Sequence, residues 1–268
     1  MIATENNIKH GEQLPTTFHR RKPALYALLV SGLVLVSTGV GVALAKVVTG
    51  TTQGPKALVL IELPGVLLFV WLLNHTARNL SVFQPSRWKS PLLLLIPSAL
   101  AVLAGIGILE KPDFHQLGWK ILGNLMIGVL EEGALRGLVL VALVRAWGTT
   151  SAGLTRAVVV SSSVFGVLHL VNLFNKPVIQ TLLQVVFATF IGIGFAGVFL
   201  RTRALLALML IHGLIDLAGA LQQGSDKPGN VASALGACAV AFPFALVGVW
   251  LLRRGSANET VNDMMAIN

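Results

Sequence analysis

Seven ionisable side chains of this chain stand inside long apolar runs: Glu62, Glu131, Glu132, Arg136, His169, His212 and Asp216. Charge is costly at such depth in a bilayer, so each is a functional candidate by default. Glu131 and Glu132 open the string Glu131-Glu132-Gly133-Ala134-Leu135-Arg136. Glu132 and Arg136 are four residues apart and can pair on one helix face. Glu131 is rotated about 100° from that face and stays free, and a free carboxylate in a dry site can serve as a general base. The plainer alternative is a structural ion pair with a second, tolerated acid.

Phe165 and His169 are also four apart and share a face, with Asn172 three residues further on. His212 and Asp216 repeat that spacing. Such a pair can present a donor and an acceptor to one point, or Asp216 can fix the tautomer of His212. Each histidine alone would also suit an interhelical hydrogen bond. Depth adds weight to the functional reading. Counted at about 1.5 Å per residue from the arginine-bearing ends, Glu131 lies roughly 23 Å deep, His169 roughly 21 Å, His212 roughly 14 Å and Asp216 roughly 20 Å. Three segments thus bring polar groups to one layer. Glu62 falls near the opposite end of its run, beside Pro64, where it can cap a kink or face a watery vestibule, and no catalytic role is expected of it.

The elements that must position these groups are transmembrane helices. The chain has 268 residues, 54% hydrophobic and 12% charged, against about 25% charged in soluble domains. Its apolar runs approach or exceed the ~20 residues that cross a bilayer. Eight spans are expected: Ala24–Val47, Ala57–Asn74, Pro91–Leu109, one within His115–Trp147, Leu154–Leu173, Pro177–Leu200, Ala204–Leu221 and Val231–Leu252. The fold class is therefore an all-α integral membrane protein with a polar cavity inside the bundle. Residues 1–23 form a polar N-terminal segment, 24–254 a single helical domain and 255–268 a flexible tail. No internal repeat or low-complexity tract is visible.

Arginine placement orients the helices. Apart from Arg136, every arginine falls in alternate flanks: Arg20 and Arg21, Arg78 and Arg87, Arg145 and Arg156, Arg201 and Arg203, Arg253 and Arg254. By the positive-inside rule both termini are cytoplasmic, and a bacterial plasma membrane is the expected location. The net charge of +9 is spread over helix ends, so it reads as topology anchoring and not as nucleic-acid binding. The first apolar run is too long for a cleaved leader and is read as a retained helix. The lone Cys238 has no partner for an internal disulfide and reads as packing.

Three motifs together resemble the CAAX prenyl protease 2 and bacteriocin-processing (CPBP, or Abi) family of intramembrane proteases. Glu131, Glu132 and Arg136 resemble its Glu-Glu-x-x-x-Arg; Phe165 and His169 its Phe-x-x-x-His; His212 and Asp216 its His-x-x-x-Asn/Asp. The likeness is good over about residues 90–220. It implies intramembrane peptide-bond hydrolysis on membrane-associated protein or peptide substrates. Glu131 would be the base on a water that His169 also holds, His212 with Asp216 would stabilise the oxyanion, and Glu132, Arg136 and Phe165 would support the site. Asp216 stands where the CAAX-processing branch has Asn, and an ionised carboxylate cannot donate a hydrogen bond. Prenylated substrates are therefore not inferred. The family has been described as metalloproteases, and Glu131, His169 and His212 would be the zinc ligands; no His-Glu-x-x-His occurs, and a metal-free glutamate mechanism is the reading taken.

Two other classes compete. A proton-coupled transporter also uses intramembrane acids and histidines, but would more often show an inverted repeat. A non-catalytic bacteriocin-immunity or scaffold protein could keep the fold and bind a partner.

Overall fold

The computed structural model describes residues 22–76, 89–106, 113–222 and 231–254. These form helices joined by short connections, with no strand among the described residues. In chain order they are α1 (Pro23–Thr49), α2 (Pro55–Thr76), a 3₁₀ turn (Pro91–Leu94) leading into α3 (Leu95–Ile106), and α4 (Leu117–Glu132). A π-helical segment (Gly133–Leu140) continues α4 into α5 (Val141–Trp147). Then come α6 (Ser151–Leu168), a 3₁₀ turn (His169–Phe174), α7 (Val178–Thr202), α8 (Leu205–Ala220) and α9 (Val231–Arg253). Large aliphatic and aromatic side chains cover the outer faces of α1, α2, α7 and α9, among them Leu28, Val36, Trp71, Val178 and Phe242. Outward apolar faces are what a lipid solvent requires.

Five helices are long and apolar enough to cross a membrane: Pro23–Thr49, Pro55–Leu73, Ser151–Phe174, Val178–Thr202 and Val231–Arg253. Pro91–Ile106 and Leu205–Ala220 are apolar but shorter. Length and composition therefore support five spans, where eight are expected from the sequence. Leu205–Ala220 has 16 residues and reaches about 24 Å, less than the ~30 Å hydrocarbon core; Pro91–Ile106 ends at the edge of the described residues; and the 117–147 stretch carries the buried charges. Arg20, Arg21, Arg78, Arg87 and the tail beyond Arg254 lie outside the described residues.

The fourth expected span is not one straight helix. At Gly133 the α-helix widens to π and returns to α at Val141. Such segments leave backbone groups to be met from outside the helix, and Ser161 of α6 donates to the Leu135 carbonyl at 3.3 Å. Gly133 itself packs against the ring of Phe69, so closely that a Cβ there would collide with it.

One close approach brings two motif helices together. A Cβ on Gly128 of α4 would run into the Met209 carbonyl of α8 and lie 2.8 Å from the Gly213 amide. Gly213 in turn leaves only 2.9 Å to the Asn124 carbonyl and Leu125 Cα. Bare backbone at both positions lets α4 and α8 touch, as small residues commonly do between membrane helices. Gly128→Ala is expected to force them apart at a cost of about 1–3 kcal/mol, read as a lower thermal midpoint in detergent or nanodiscs. Gly105→Ala, at an α3 position with open space around it, should leave the midpoint unchanged. Equal midpoints for the two variants would disprove the close-packing argument.

The N-terminal end of α4 is tied down by polar contacts. Asp113 receives Lys120 Nζ at 2.7 Å, and its amide donates to the Leu221 carbonyl at 2.7 Å. The lysine hydrogen bond holds the Asp113 carboxyl below its usual range. Trp119 has the Lys56 ammonium 6.0 Å above its ring, a pairing of the kind found where helices meet the membrane interface.

Candidate active site

Glu131 and Glu132 occupy the last turn of α4, directly before the π segment that carries Arg136. Glu132 and Arg136 are fully buried, and their nearest charged atoms, Oε1 and Nη1, are 3.0 Å apart. The pairing expected from the four-residue spacing is thus present. Its alignment does not meet hydrogen-bond geometry, and neither Nη1 nor Nη2 of Arg136 finds a hydrogen-bond partner among the described residues. The guanidinium instead lies between two rings, 4.6 Å from the centre of Phe165 and 5.7 Å from that of Phe195. A desolvated cation–π contact of this kind contributes roughly 2 kcal/mol.

His212 of α8 sits at the centre. Its Nδ1 meets Glu132 Oε1 at 2.8 Å. The opposite nitrogen, Nε2, lies 3.4 Å from Glu131 Oε2 and 3.5 Å from Asp216 Oδ2. Nδ1 is thus engaged by Glu132, and Asp216 stands beside the opposite nitrogen. The reason is the close packing at Gly128 and Gly213, which places the end of α4 over His212 while Asp216 extends one turn further along α8. With Nδ1–H committed to Glu132, Nε2 is an acceptor when the ring is neutral and a donor when it is protonated.

The two acids of α4 differ in setting. The Glu132 side chain is fully enclosed, whereas about a quarter of the Glu131 side chain and a third of the Asp216 side chain remain accessible. One carboxylate is closed off by protein and the other is not.

His169 ends α6. Its amide bonds back to the Gly166 and Val167 carbonyls, so the chain tightens into a 3₁₀ turn. The Phe165 carbonyl then takes His169 Nδ1 at 3.0 Å. Nδ1 is therefore engaged by the backbone, and Nε2 is the opposite ring nitrogen. The Phe165 ring meets His169 edge-on at 5.0 Å and His212 edge-on at 6.1 Å, so one ring contacts both histidines. His169 also lies within electrostatic range of Asp216. His169 lies where α6 passes into the 3₁₀ turn, inside the apolar span Ser151–Phe174, and Asn172 turns to Gln184 of α7 at 2.9 Å.

Two residues belong to this region that the motifs do not mark. Phe195 of α7, fully buried, lies 5.7 Å from the His212 ring and braces Arg136. Glu62 lies within electrostatic range of both Glu131 and Asp216. It sits on the α2 stripe of Leu58, Gly65 and Phe69, which packs on Gly123, Leu130 and Gly133. The helical spacing of that stripe was readable, but its partner helix was not. Among the described residues no three His, Cys, Asp or Glu side chains are grouped to hold one metal ion.

Fold and site together define an all-helical chain with several apolar helices of membrane length and a buried acid–histidine centre. Residues 113–218 match the family model described as type II CAAX prenyl endopeptidase Rce1-like. This is the family that the three motifs resemble, and the match spans all of them, from Glu131 to Asp216. No curated protein and no solved structure matches. The family suggests an intramembrane endopeptidase of the CAAX type acting on a protein or peptide in the membrane.

Proposed function

We propose that this chain is an intramembrane endopeptidase that cleaves membrane-associated proteins or peptides with a water activated by Glu131. The observation that carries this reading is the convergence on His212. One face of its ring system is locked to the buried Glu132–Arg136 pair, and the other faces the accessible carboxylates of Glu131 and Asp216. Glu131 takes the proton of the attacking water, which His169 Nε2 also holds. The hydroxyl adds to the scissile carbonyl carbon. His212, protonated, donates from Nε2 to the developing oxyanion, with Asp216 supporting that charge. The proton held by Glu131 then passes to the leaving amine as the C–N bond breaks. No step is routed through a metal. In this reading the arginine pattern of the sequence orients both termini to the cytoplasm, and the two shorter apolar helices and the 117–147 stretch are taken as further crossings beside the five long ones.

The test is N-terminal peptide mapping of membrane and secreted proteins from cells expressing the wild type or Glu131→Gln at equal levels. New termini that arise only with the wild type are expected. Cleavage should also persist when the purified protein is treated with a strong zinc chelator. Matched termini profiles from two folded, abundant proteins would replace this reading with partner binding or proton-coupled transport. Loss of cleavage on chelation, restored by zinc, would sink the metal-free mechanism alone.

A further inference from the structure

The 3₁₀ turn that carries His169 is held by a residue outside all three motifs. The ring of His169 can reach the Phe165 carbonyl because its own amide has turned to Gly166 and Val167. Its setting therefore depends on the turn His169–Phe174 keeping its shape. Asn172 is the hub of that turn. Its carbonyl accepts the amides of Asn175 at 2.9 Å and Lys176 at 2.8 Å. Its side-chain amide donates to Gln184 Oε1 at 2.9 Å, and Lys176 Nζ donates to the same oxygen at 3.2 Å. One half-buried oxygen on α7 thus takes two donors from the end of the turn. On the other side of His169, Gly166 brings α7 to close contact, with a Cβ position 2.7 Å from the Val185 carbonyl. The turn is consequently fixed to α7 on both sides of the histidine.

We infer that Gln184 is a positioning residue for His169: its side-chain oxygen clamps the 3₁₀ turn through Asn172 and Lys176, and so keeps the His169 ring with Nδ1 on Phe165 and Nε2 directed to chemistry. The inference rests on the proposed role of His169 but not on the identity of the substrate. A structural glue would tolerate any packing-competent side chain. A positioning role requires an acceptor at this point, because the donors on the turn are an amide and an ammonium. Partners that orient a working histidine commonly act this way.

The experiment uses the full chain in nanodiscs with ¹⁵N-labelled histidine rings, the His169 signals being assigned by their loss in His169→Ala. Wild type and Gln184→Glu, which keeps the acceptor, should show His169 as a single Nδ1–H tautomer. Gln184→Leu should show a tautomer mixture with the helical content unchanged. In the mapping assay its wild-type-dependent termini should fall roughly tenfold to a hundredfold, and Gln184→Glu should restore them. If Gln184→Leu does not fold, Asn172→Ala opens the same clamp from the other end and is read identically. An unaltered His169 tautomer in the folded Leu or Ala variant, or a Glu variant as disturbed as Leu, would overturn the inference. Should Glu131→Gln still produce termini, the protease reading fails, while the ring signal still decides this one.

Discussion

Glu131→Gln is expected to lower the rate of peptide-bond cleavage by at least about a hundredfold, the span general-base catalysis ordinarily supplies, with folding intact. The amide matches the carboxylate in size and can still hold a water, but it cannot take a proton. Stability should hardly move, because the Glu131 side chain is partly accessible and lies 3.4 Å from His212, with no tighter ion pair among the described residues. Glu131→Asp should recover part of the rate, since it keeps the base and withdraws it by one methylene. The measurement is the initial rate on a peptide spanning a mapped cleavage site, with the purified variants compared at equal thermal midpoints. Cleavage by Glu131→Gln within a few fold of wild type would remove the base from the mechanism. The rate would then have to come from Asp216 or Glu62.

Arg136→Met should have the largest effect on stability, about 3–5 kcal/mol, because it strands a buried carboxylate. Glu132 is fully enclosed, and its Oε2 has no hydrogen-bond partner among the described residues. The charge beside Oε1 is what makes that burial tolerable. The variant should also free the faces of Phe165 and Phe195, both of which touch His212, so cleavage should be lost with stability. The double variant Glu132→Gln with Arg136→Met separates the two effects. Removing both charges should restore most of the stability, and Gln can still accept from His212 Nδ1. Cleavage should remain depressed roughly tenfold or more, because the fixed charge that supports a protonated His212 is gone. The checks are thermal unfolding in nanodiscs and initial rates side by side. A single Arg136→Met variant as stable as wild type would show that the pair does not hold the site together.

Much of this centre was present in the sequence as local spacing. The four-residue intervals Glu132–Arg136, Phe165–His169 and His212–Asp216 each produce a contact in the fold, since one helical turn sets them. Residence in a membrane was equally plain, because composition alone dictates it. The span boundaries that follow from hydropathy largely match the helices. The count of spans was less secure, because hydropathy does not reveal a π segment or a helix shorter than the bilayer.

Tertiary structure decided which residues from different helices meet. No spacing rule joins Glu132 to His212, eighty residues away; bare backbone at Gly128 and Gly213 lets α4 and α8 come close enough for that bond. The choice of Glu132 over Asp216 as the partner of His212 Nδ1 follows from the same approach. The 3₁₀ turn at His169 and the clamp from Gln184 depend on how α6 and α7 face each other, as does the bracing of Arg136 by Phe195. Glu62 enters the neighbourhood of Glu131 because its stripe packs on α4. The sequence by itself determined the membrane setting and the chemical groups with their one-turn pairings, because the helical repeat is a local property. Their convergence on one histidine was decided by helix packing, whose contacts join residues far apart in the chain.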